Sequence, residues 1–406
     1  MNIEVENVKG FQDFLPPESL KRDAVRKVVE KYFKLYGFSP IETPIVEFDE
    51  LMKGDNLDEE DGAVSDRFRL KDRGGRNLGL RYEFTFQLAR ILKQNPNLKL
   101  PFRRYQIGEN FRDEPIGLGR FRQFVQCDAD IVGDSSIEGE AEILAMFFDI
   151  LKELKIEAEI TVNNRKLLNA IIESVQINDK KNIMKEIDKL EKIGEDNVKA
   201  NLKKYADGNQ VLTLFKLMEK PIEFFIENKF DGANELEDLF DLCKKYSLKL
   251  RFNPYMVRGF GYYTGNIIEI VREGTKGSLA GGGRYDKVVG KYVGKEVPAF
   301  GLSFGLERIC EFAKVKIENI PEVMVISIEE DNEAVKLVRK LRKEKISCVK
   351  TNEKVGKSME YANSYGIQYV ILLGNDEVKQ GKYKLKDMNS GEEKLLSEAQ
   401  LINVLK

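Results

Sequence analysis

Three arginines stand in short segments whose composition suits the handling of an anion. Arg258 lies in MVRGFGYYTG, Arg112 in ENFRDEPIGLGRFRQF and Arg308 in AFGLSFGLERI. A planar guanidinium binds phosphate oxygens through two donors at once and keeps its charge at neutral pH. The glycines near each arginine allow a ligand or another backbone to come close. These residue types indicate chemistry at a phosphate.

The absence of histidine narrows the chemistry further. None of the 406 residues is histidine, so Ser-His-Asp and Cys-His nucleophiles and His-ligated zinc sites are excluded. The four cysteines lie far apart in sequence and form no CxxC pair, which is typical of reduced structural thiols. Catalysis must therefore depend on arginine, carboxylates, tyrosine, threonine and backbone amides, a set that suits phosphoryl or nucleotidyl transfer.

The segment around Arg112 has the pattern of a hairpin. Arg112 and Arg120 stand on two strand-like runs joined by a glycine-bearing loop, so both guanidiniums can face one side. Glu114 and Phe124 flank that loop, and an aromatic ring placed there can stack on a base. A solvated charged hairpin is the alternative interpretation. The other glycine-rich segments also have purely structural interpretations. The glycines of AFGLSFG would then permit a tight crossing of strand and helix, and the triple glycine of LAGGGRYD would form a turn.

The elements that must position these residues follow from hydrophobic periodicity. Apolar residues recur at helical spacing over 18–36, with Pro17 at the start and Gly37 at the end. Short strand-like runs, including LGLRYEFT, alternate with turns from about 78 to 135, and helical spacing returns over 136–153. Strand character resumes in IIEIVRE, SLAGGGRYDKVVG and AFGLSFG. The proline-bearing SPIETPIVE is expected to be an edge or interface strand.

Two regions depart from this pattern. Residues 165–248 are rich in Lys, Glu, Leu and Asn, nearly free of proline and mostly helical in period, which indicates a helical insertion. KVKIENIPE has the character of a linker. After it, short and uniformly apolar strands alternate with helices over about 331–344 and 356–365. This alternation predicts a small α/β domain with a mainly parallel sheet.

Overall composition sets the broad class of the protein. A hydrophobic fraction of 42% and a charged fraction of 33% are typical of a globular protein. The net charge of −2 neither predicts nor excludes a nucleic-acid partner, because a local basic surface is sufficient for one. No apolar run reaches the length of a membrane span, and the start lacks the pattern of a signal peptide. A cytoplasmic location without membrane attachment is therefore expected.

The order of the motifs resembles one known class of enzyme. A proline strand with Pro44 in GFSPIETP, the arginine of FRDE and the arginine of GLSFGLERI follow the order of the three signature motifs of class II aminoacyl-tRNA synthetases. KGFQDFLPPE, LRYEFT, RFRQFVQCDADIVG, VRGFGYYTGNIIEI and AGGGRYD are similar to segments of histidyl-tRNA synthetases. VGKSMEYANSYGIQYVILLGNDE resembles the anticodon-binding domain of that family. The resemblance touches nearly the whole chain and is weakest over the insertion.

This resemblance implies an α+β fold. The expected architecture is the antiparallel sheet of class II synthetases with flanking helices, a helical insertion and a C-terminal α/β anticodon-binding domain. The implied division assigns the first part of the catalytic core to 1–164, the insertion to 165–248, the second part of the core to 249–315 and the anticodon-binding domain to 321–406.

The resemblance also assigns residues to ATP. Arg112 would hold the α-phosphate, and Phe124 would stack on adenine. Arg308 would cover the other face of adenine and reach the γ-phosphate, while Arg120 and Glu114 would assist nucleotide binding. Mg²⁺ would accompany ATP, but the motifs do not indicate its ligands.

Further residues are assigned to the amino acid by the same resemblance. Glu83 and Gln126 would bind the α-amino group of histidine, with Thr85 beside them. Arg258 would contact histidine and the α-phosphate from the side opposite Arg112. Its charge would stabilise the pentacovalent transition state.

The resemblance places the imidazole ring between a carboxylate and a phenol. Asp130 and Tyr263 would contact its two nitrogens, and Tyr262 would form a wall of the pocket. A neutral imidazole has one donor and one acceptor, which a carboxylate and a hydroxyl can satisfy. A buried pair of this kind also rejects apolar isosteres. The family usually has a polar residue where Gly261 stands, so local support for Arg258 differs here.

The implied function is that of a histidine–tRNA ligase. Such an enzyme forms histidyl-adenylate from histidine and ATP, transfers histidine to the 3′ end of tRNA(His), and is a homodimer through the proline-strand motif. One alternative is a catalytically inactive synthetase-like regulatory subunit of histidine biosynthesis. Such paralogues usually lack the C-terminal domain and often the motif arginine, and this chain has both. A synthetase for proline or threonine is the other alternative, but threonine enzymes use a zinc held by Cys and His.

Overall fold

The computed structural model describes residues 5–53, 66–117, 119–257, 261–275, 277–317 and 321–406. They form two compact units, Met1–Val315 and Lys316–Lys406. The finer division of the first unit at 164 and 248 stays a prediction. Within the described ranges, every helix is too short or too polar to span a membrane.

A large sheet forms the centre of the first unit. Its strands are β1 (Ser39–Pro40), β5 (Phe102–Phe111), β6 (Gln123–Val132), β7 (Glu159–Asn164), β8 (Leu250–Phe252), β9 (Asn266–Val271), β10 (Ala280–Arg284) and β11 (Ala299–Gly305). They are ordered β1-β5-β6-β11-β10-β9-β7-β8. Only the β1–β5 and β7–β8 pairs at the two ends are parallel. A smaller sheet comprises β2 (Val46–Phe48), β3 (Arg69–Lys71) and β4 (Asn77–Leu80). The predicted antiparallel architecture is confirmed.

Strand β6 shows why the sheet can hold a site on one face and a core on the other. Its odd-numbered residues, from Val125 to Ile131, are apolar and buried. Its even-numbered residues, Phe124, Gln126, Asp128 and Asp130, line a cleft on the opposite face. Because successive side chains of a strand point to opposite faces, the sequence QFVQCDADI gives an apolar row and a polar row from a single strand.

Helices pack around the large sheet. The helices of the first unit, apart from the insertion, are Glu18–Leu35, Asp49–Met52, Thr85–Gln94, Ile137–Glu153, Asp286–Val289 and Leu306–Phe312. The first of them buries Val25, Val29 and Phe33, and Gly37 beyond its end has a positive φ of 78°. The helices predicted over 18–36 and 136–153 are thus confirmed within one residue at each end.

One local prediction is wrong. LGLRYEFT is strand-like in composition, but β4 ends at Leu80 and a helix begins at Thr85. The Glu83 carboxylate accepts hydrogen bonds from the backbone N–H groups of Thr85 and Phe86, at 3.1 and 3.0 Å. These contacts satisfy donors that the first turn of a helix leaves unpaired, so the chain turns into a helix where the pattern suggested a strand.

The region between β7 and β8 is helical, as predicted. Its helices are Arg165–Ser174, Lys180–Ile187, Leu190–Ile193, Glu195–Leu202, Gly208–Met218, Ile222–Glu227 and Ala233–Lys245. Asn164 caps the first of them by accepting from the N–H of Lys166 at 2.8 Å. Its amide also donates to Glu235 at 2.7 Å and to Asn266 at 2.8 Å. These bonds join the insertion to β9 of the large sheet.

The second unit contains a mixed sheet. Its strands are β12 (Val323–Ser327), β13 (Cys348–Thr351), β14 (Tyr369–Leu373), β15 (Tyr383–Asp387) and β16 (Glu393–Leu396), and its helices are Asp331–Lys343, Val355–Ser364, Asn375–Gln380 and Glu398–Leu405. β13, β12 and β14 are parallel, as predicted, but β15 and β16 add two antiparallel pairs. That hairpin is highly charged, and its turn depends on Asp387, which accepts from the N–H of Asn389 at 2.8 Å. The absence of an apolar run explains why the sequence did not predict it.

Candidate active site

A cleft of about 260 Å³ lies on the polar face of the large sheet. It is lined by parts of β6, β10 and β11, by the loop between β5 and β6, by residues around 83–85 and by the helix Leu306–Phe312. The predicted site residues that line it are Glu83, Thr85, Arg112, Glu114, Arg120, Phe124, Gln126, Asp130, Tyr262, Tyr263 and Arg308. The structure therefore brings together every predicted site residue that it describes. Arg258 lies outside the described residues.

At one end of the cleft, Glu83 is almost fully buried. It accepts the two backbone N–H bonds that start the helix Thr85–Gln94, and the Tyr262 hydroxyl donates to its other oxygen at 3.1 Å. Burial raises the pKa of Glu83, while these hydrogen bonds lower it. The rings of Tyr262 and Tyr263 lie 4.8 Å apart between centroids, and both are buried. This end of the cleft is aromatic, with one fixed carboxylate.

Asp130 is held from both neighbouring strands. Arg104, its direct partner on β5, is fully buried and places a guanidinium nitrogen 2.7 Å from the Asp130 carboxylate. Gly301, its partner on β11, has no side chain to displace that carboxylate. The Tyr285 hydroxyl donates to the second oxygen of Asp130. Burial raises the pKa of Asp130, and Arg104 acts against the increase.

A chain of polar side chains crosses the floor of the cleft. Asn110 donates to Gln126 at 2.6 Å, and Gln126 donates to the Ser303 hydroxyl at 2.9 Å. Ser303 in turn donates to Asp128. Each bond joins neighbouring strands, so the orientation of Gln126 is fixed before any ligand arrives. Burial raises the pKa of Asp128 to about 8.

The other end of the cleft contains arginines and phenylalanines. The Arg112 guanidinium donates to the Tyr82 carbonyl at 3.1 Å and lies 4.9 Å from the centre of the Phe124 ring. Arg308 is half-buried, and its pKa is lowered by burial and then by the nearby Arg120. Glu311 and Glu114 act in the opposite direction, and a bound anion would further offset the repulsion between the two arginines. These groups suit a planar base and a polyphosphate.

Glu307 connects three elements behind this end. It forms an ion pair with Arg22 of the helix Glu18–Leu35 at 2.8 Å. It also accepts from the Val125 N–H of β6 at 3.1 Å. Because Glu307 precedes Arg308, the same helical turn that presents Arg308 to the cleft is attached to the sheet and to the first helix.

Sequence reasoning missed four residues that shape the cleft: Arg104, Asp128, Tyr285 and Ser303. Two-residue spacing along β6 could have indicated Asp128, since it falls in step with Gln126 and Asp130. Arg104 and Ser303 depend on the register between strands, which no local pattern gives.

Comparison with known proteins decides the family. The family model described as histidyl-tRNA synthetase matches residues 10–309, and that of the anticodon binding domain matches residues 322–406. The chain belongs to the histidyl-tRNA synthetase family.

Relatives and solved structures agree with this assignment over the whole length. The histidine–tRNA ligase 1 of Bacillus cereus is 36% identical, and the alignment covers 96% of this chain and 95% of the relative. The crystal structure of histidyl-tRNA synthetase from Nostoc has a TM-score of 0.86 and 27% identity, with 100% of this chain and 99% of that chain covered. An ATP phosphoribosyltransferase regulatory subunit/histidyl-tRNA synthetase from Bacillus halodurans shares the fold, with a TM-score of 0.75, 19% identity and coverage of 89% and 97%. The prediction of an aminoacyl-tRNA ligase of the histidine type is confirmed.

Substitution of Gly301 should impair the synthetase. A Cβ there would overlap the Asp130 carboxylate and approach the Ala129 carbonyl at 3.1 Å. We expect Gly301→Ala to raise the KM for histidine at least about tenfold while the KM for ATP changes little, because one displaced hydrogen bond to a charged group is worth roughly 1.5–3 kcal/mol. Pyrophosphate-exchange kinetics with each substrate varied in turn would measure both constants. An equal rise in the two KM values would show general disruption of the cleft instead.

Proposed function

We propose that this cleft binds ATP at the Phe124 end and histidine at the Asp130 end, forms histidyl-adenylate between them, and passes histidine to the 3′ end of tRNA(His). The observation that supports this most is the polar row on β6. A single strand presents an aromatic ring, an amide and two carboxylates to one cleft. Alternate residues of a strand are about 7 Å apart, so the row spans a distance suited to an aminoacyl-adenylate.

At the nucleotide end, adenine would stack on Phe124 with Arg308 over its other face. Arg112 would bind the α-phosphate, supported by its bond to the Tyr82 carbonyl. Arg120, Arg308 and Glu114 line the region where the outer phosphates and the base edge would lie. Mg²⁺ would enter with ATP. Glu114 is a half-buried carboxylate there, and an ion bound to phosphates needs only one or two protein carboxylates.

At the amino acid end, Asp130 would accept from one imidazole nitrogen and Tyr263 would donate to the other. The contacts of Asp130 with Arg104 and Tyr285 support this role, because they fix the carboxylate before the ring arrives. Glu83 and Gln126 would face the α-amino group, with Thr85 beside them, as the resemblance implies.

Activation itself needs no general base. The carboxylate of histidine is already ionised at neutral pH. Its oxygen attacks the α-phosphorus, a new P–O bond forms, and the bond to pyrophosphate breaks. Arg112 on one side, and Arg258 on the other, would stabilise the charge that develops on the α-phosphate. In the transfer step, the ribose hydroxyl of the tRNA attacks the carbonyl carbon of the adenylate, and a phosphate oxygen of the adenylate can take its proton. The ester bond forms as the acyl–phosphate bond breaks and AMP leaves, so a chain without histidine can perform both reactions.

We also propose a cytoplasmic homodimer. Large apolar side chains at Ile45, Val46 and Phe48 are each at least two-fifths exposed, and they follow the proline-rich segment. Exposed apolar groups in one patch are typical of protein interfaces. This is where the resemblance places the dimer contact.

The reaction can be tested by ATP–pyrophosphate exchange with each of the twenty amino acids, followed by aminoacylation of tRNA(His). We expect exchange with histidine alone and charging of tRNA(His). Exchange without histidine would contradict the proposal. A stable complex with a phosphoribosyltransferase and no aminoacylation would favour the regulatory alternative instead.

A further inference from the structure

Asp128 is a buried carboxylate in the cleft that the family resemblance leaves without a role. It stands on β6 between Gln126 and Asp130, with its side chain in the same row. It thus lies between the group assigned to the ammonium of histidine and the group assigned to its imidazole ring.

The other two carboxylates at this end already have fixed protein partners. Glu83 accepts from two backbone N–H groups and from the Tyr262 hydroxyl. Asp130 is held by Arg104 and Tyr285. Both oxygens of Glu83 are therefore in hydrogen bonds to the protein, and the charge of Asp130 is balanced by Arg104.

Asp128 has fewer protein partners than either of them. Across the residues that the structure describes, its one hydrogen bond comes from Ser303, and no Lys or Arg forms an ion pair with it. Arg104 lowers the pKa of Asp128, but it forms its ion pair with Asp130, so the effect of burial on Asp128 prevails. A buried carboxylate of this kind is unfavourable unless it is protonated or a ligand supplies further positive charge. The α-ammonium of histidine supplies a positive charge and three donors.

We propose that Asp128 binds the α-ammonium group of histidine, with Ser303 orienting its carboxylate toward that group. Gln126 then has two roles, because it donates to the Ser303 hydroxyl and also lines the ammonium site. This assignment rests on the proposed activation of histidine and adds a third side chain to the ammonium contacts.

Binding of histidine should also release a proton from Asp128. Because burial raises the pKa of Asp128 to about 8, many molecules carry a proton on Asp128 at pH 7 before histidine binds. An approaching ammonium favours the ionised carboxylate, so binding releases that proton and affinity rises with pH up to about 8. The charged and titratable groups that face Asp128 are Arg104, Asp130, Glu83, Arg81 and Tyr285.

The test compares three ligands on wild type and Asp128→Asn. L-histidine and L-histidinol have the ammonium, whereas imidazole-propionate lacks it and keeps the ring. We expect Asp128→Asn to weaken binding of the first two roughly 10- to 100-fold, to leave imidazole-propionate within about twofold, and to raise the KM for histidine with little change in kcat. Calorimetry at pH 7 in two buffers should show fewer protons released by the variant than by wild type.

Different results would contradict the role of Asp128 and the proposed function. Equal weakening of all three ligands, or of none, would overturn the role at the ammonium. ATP affinity, which should stay unchanged, serves as the control for a folded cleft. Asp128→Glu keeps the charge and should bind histidine more tightly than Asp128→Asn, and equal affinities would also count against the proposal. Wild type without any histidine-dependent exchange would instead refute the underlying function.

Discussion

Replacement of Arg112 by alanine is expected to lower histidine-dependent pyrophosphate exchange roughly 100- to 1,000-fold, mainly through kcat. The guanidinium is fixed by the Tyr82 carbonyl and lies against the Phe124 ring. It can therefore stabilise charge on the α-phosphate without reorganising first. Steady-state exchange kinetics with ATP varied would separate kcat from KM. A variant that raised only the KM for ATP would show that Arg112 contributes ground-state binding alone.

The hairpin provides a matched control for this experiment. Arg122 lies on the same hairpin but forms a partly exposed ion pair with Asp113 at 3.0 Å, and it does not line the cleft. Arg122→Ala should change kcat by no more than a few-fold. Arg112→Lys should fall between wild type and Arg112→Ala, because lysine keeps the charge but lacks the planar pair of donors.

The second large effect is expected at Arg104. Arg104→Leu should lower the free energy of unfolding by roughly 3–5 kcal/mol at pH 7, because it leaves the buried Asp130 carboxylate without its cation. Chemical denaturation followed by circular dichroism would measure the loss. Its neighbour Arg103 forms a partly exposed ion pair with Glu142 at 2.6 Å, so Arg103→Leu should cost only about 1 kcal/mol or less.

The loss of stability caused by Arg104→Leu should change with pH in a definite direction. Burial already raises the pKa of Asp130, and loss of Arg104 must raise it further. A carboxyl whose pKa is raised in the folded state is most favourable to folding when protonated, and that contribution is lost as pH rises through the folded-state pKa. The deficit of the variant should therefore shrink as the pH is lowered from 7 toward 5. A deficit that stayed constant with pH would argue for lost packing rather than an unpaired charge.

How far the sequence predicts this site can be seen on β6 and its neighbours. The motif resemblance assigned Phe124, Gln126 and Asp130 to one site, and the three side chains line one cleft. The resemblance did not predict that Arg104 and Gly301 flank Asp130, because that depends on the register of three strands from distant parts of the chain.

Local chemistry explains the two errors in the fold. The side chain of Glu83 caps a helix where LRYEFT has the composition of a strand. In the hairpin β15–β16, apolar and charged residues alternate only briefly, over Tyr383–Lys386, and β16 (EKLL) has no such alternation. In both places a few specific hydrogen bonds, rather than hydrophobic periodicity, determine the path of the chain.

The stacked glycines beside Asp130 have a consequence for evolution. A Cβ at Gly282 would overlap the Gly301 backbone, and one at Gly301 would overlap Asp130. Any substitution at either glycine adds at least one carbon atom. A single substitution at either position should therefore disturb the cleft. Because the closest contact of a Cβ at Gly301 is with Asp130, that glycine can be replaced only together with, or after, a change of the carboxylate. Drift by single steps should therefore leave this part of the pocket unchanged while the surrounding surface diverges.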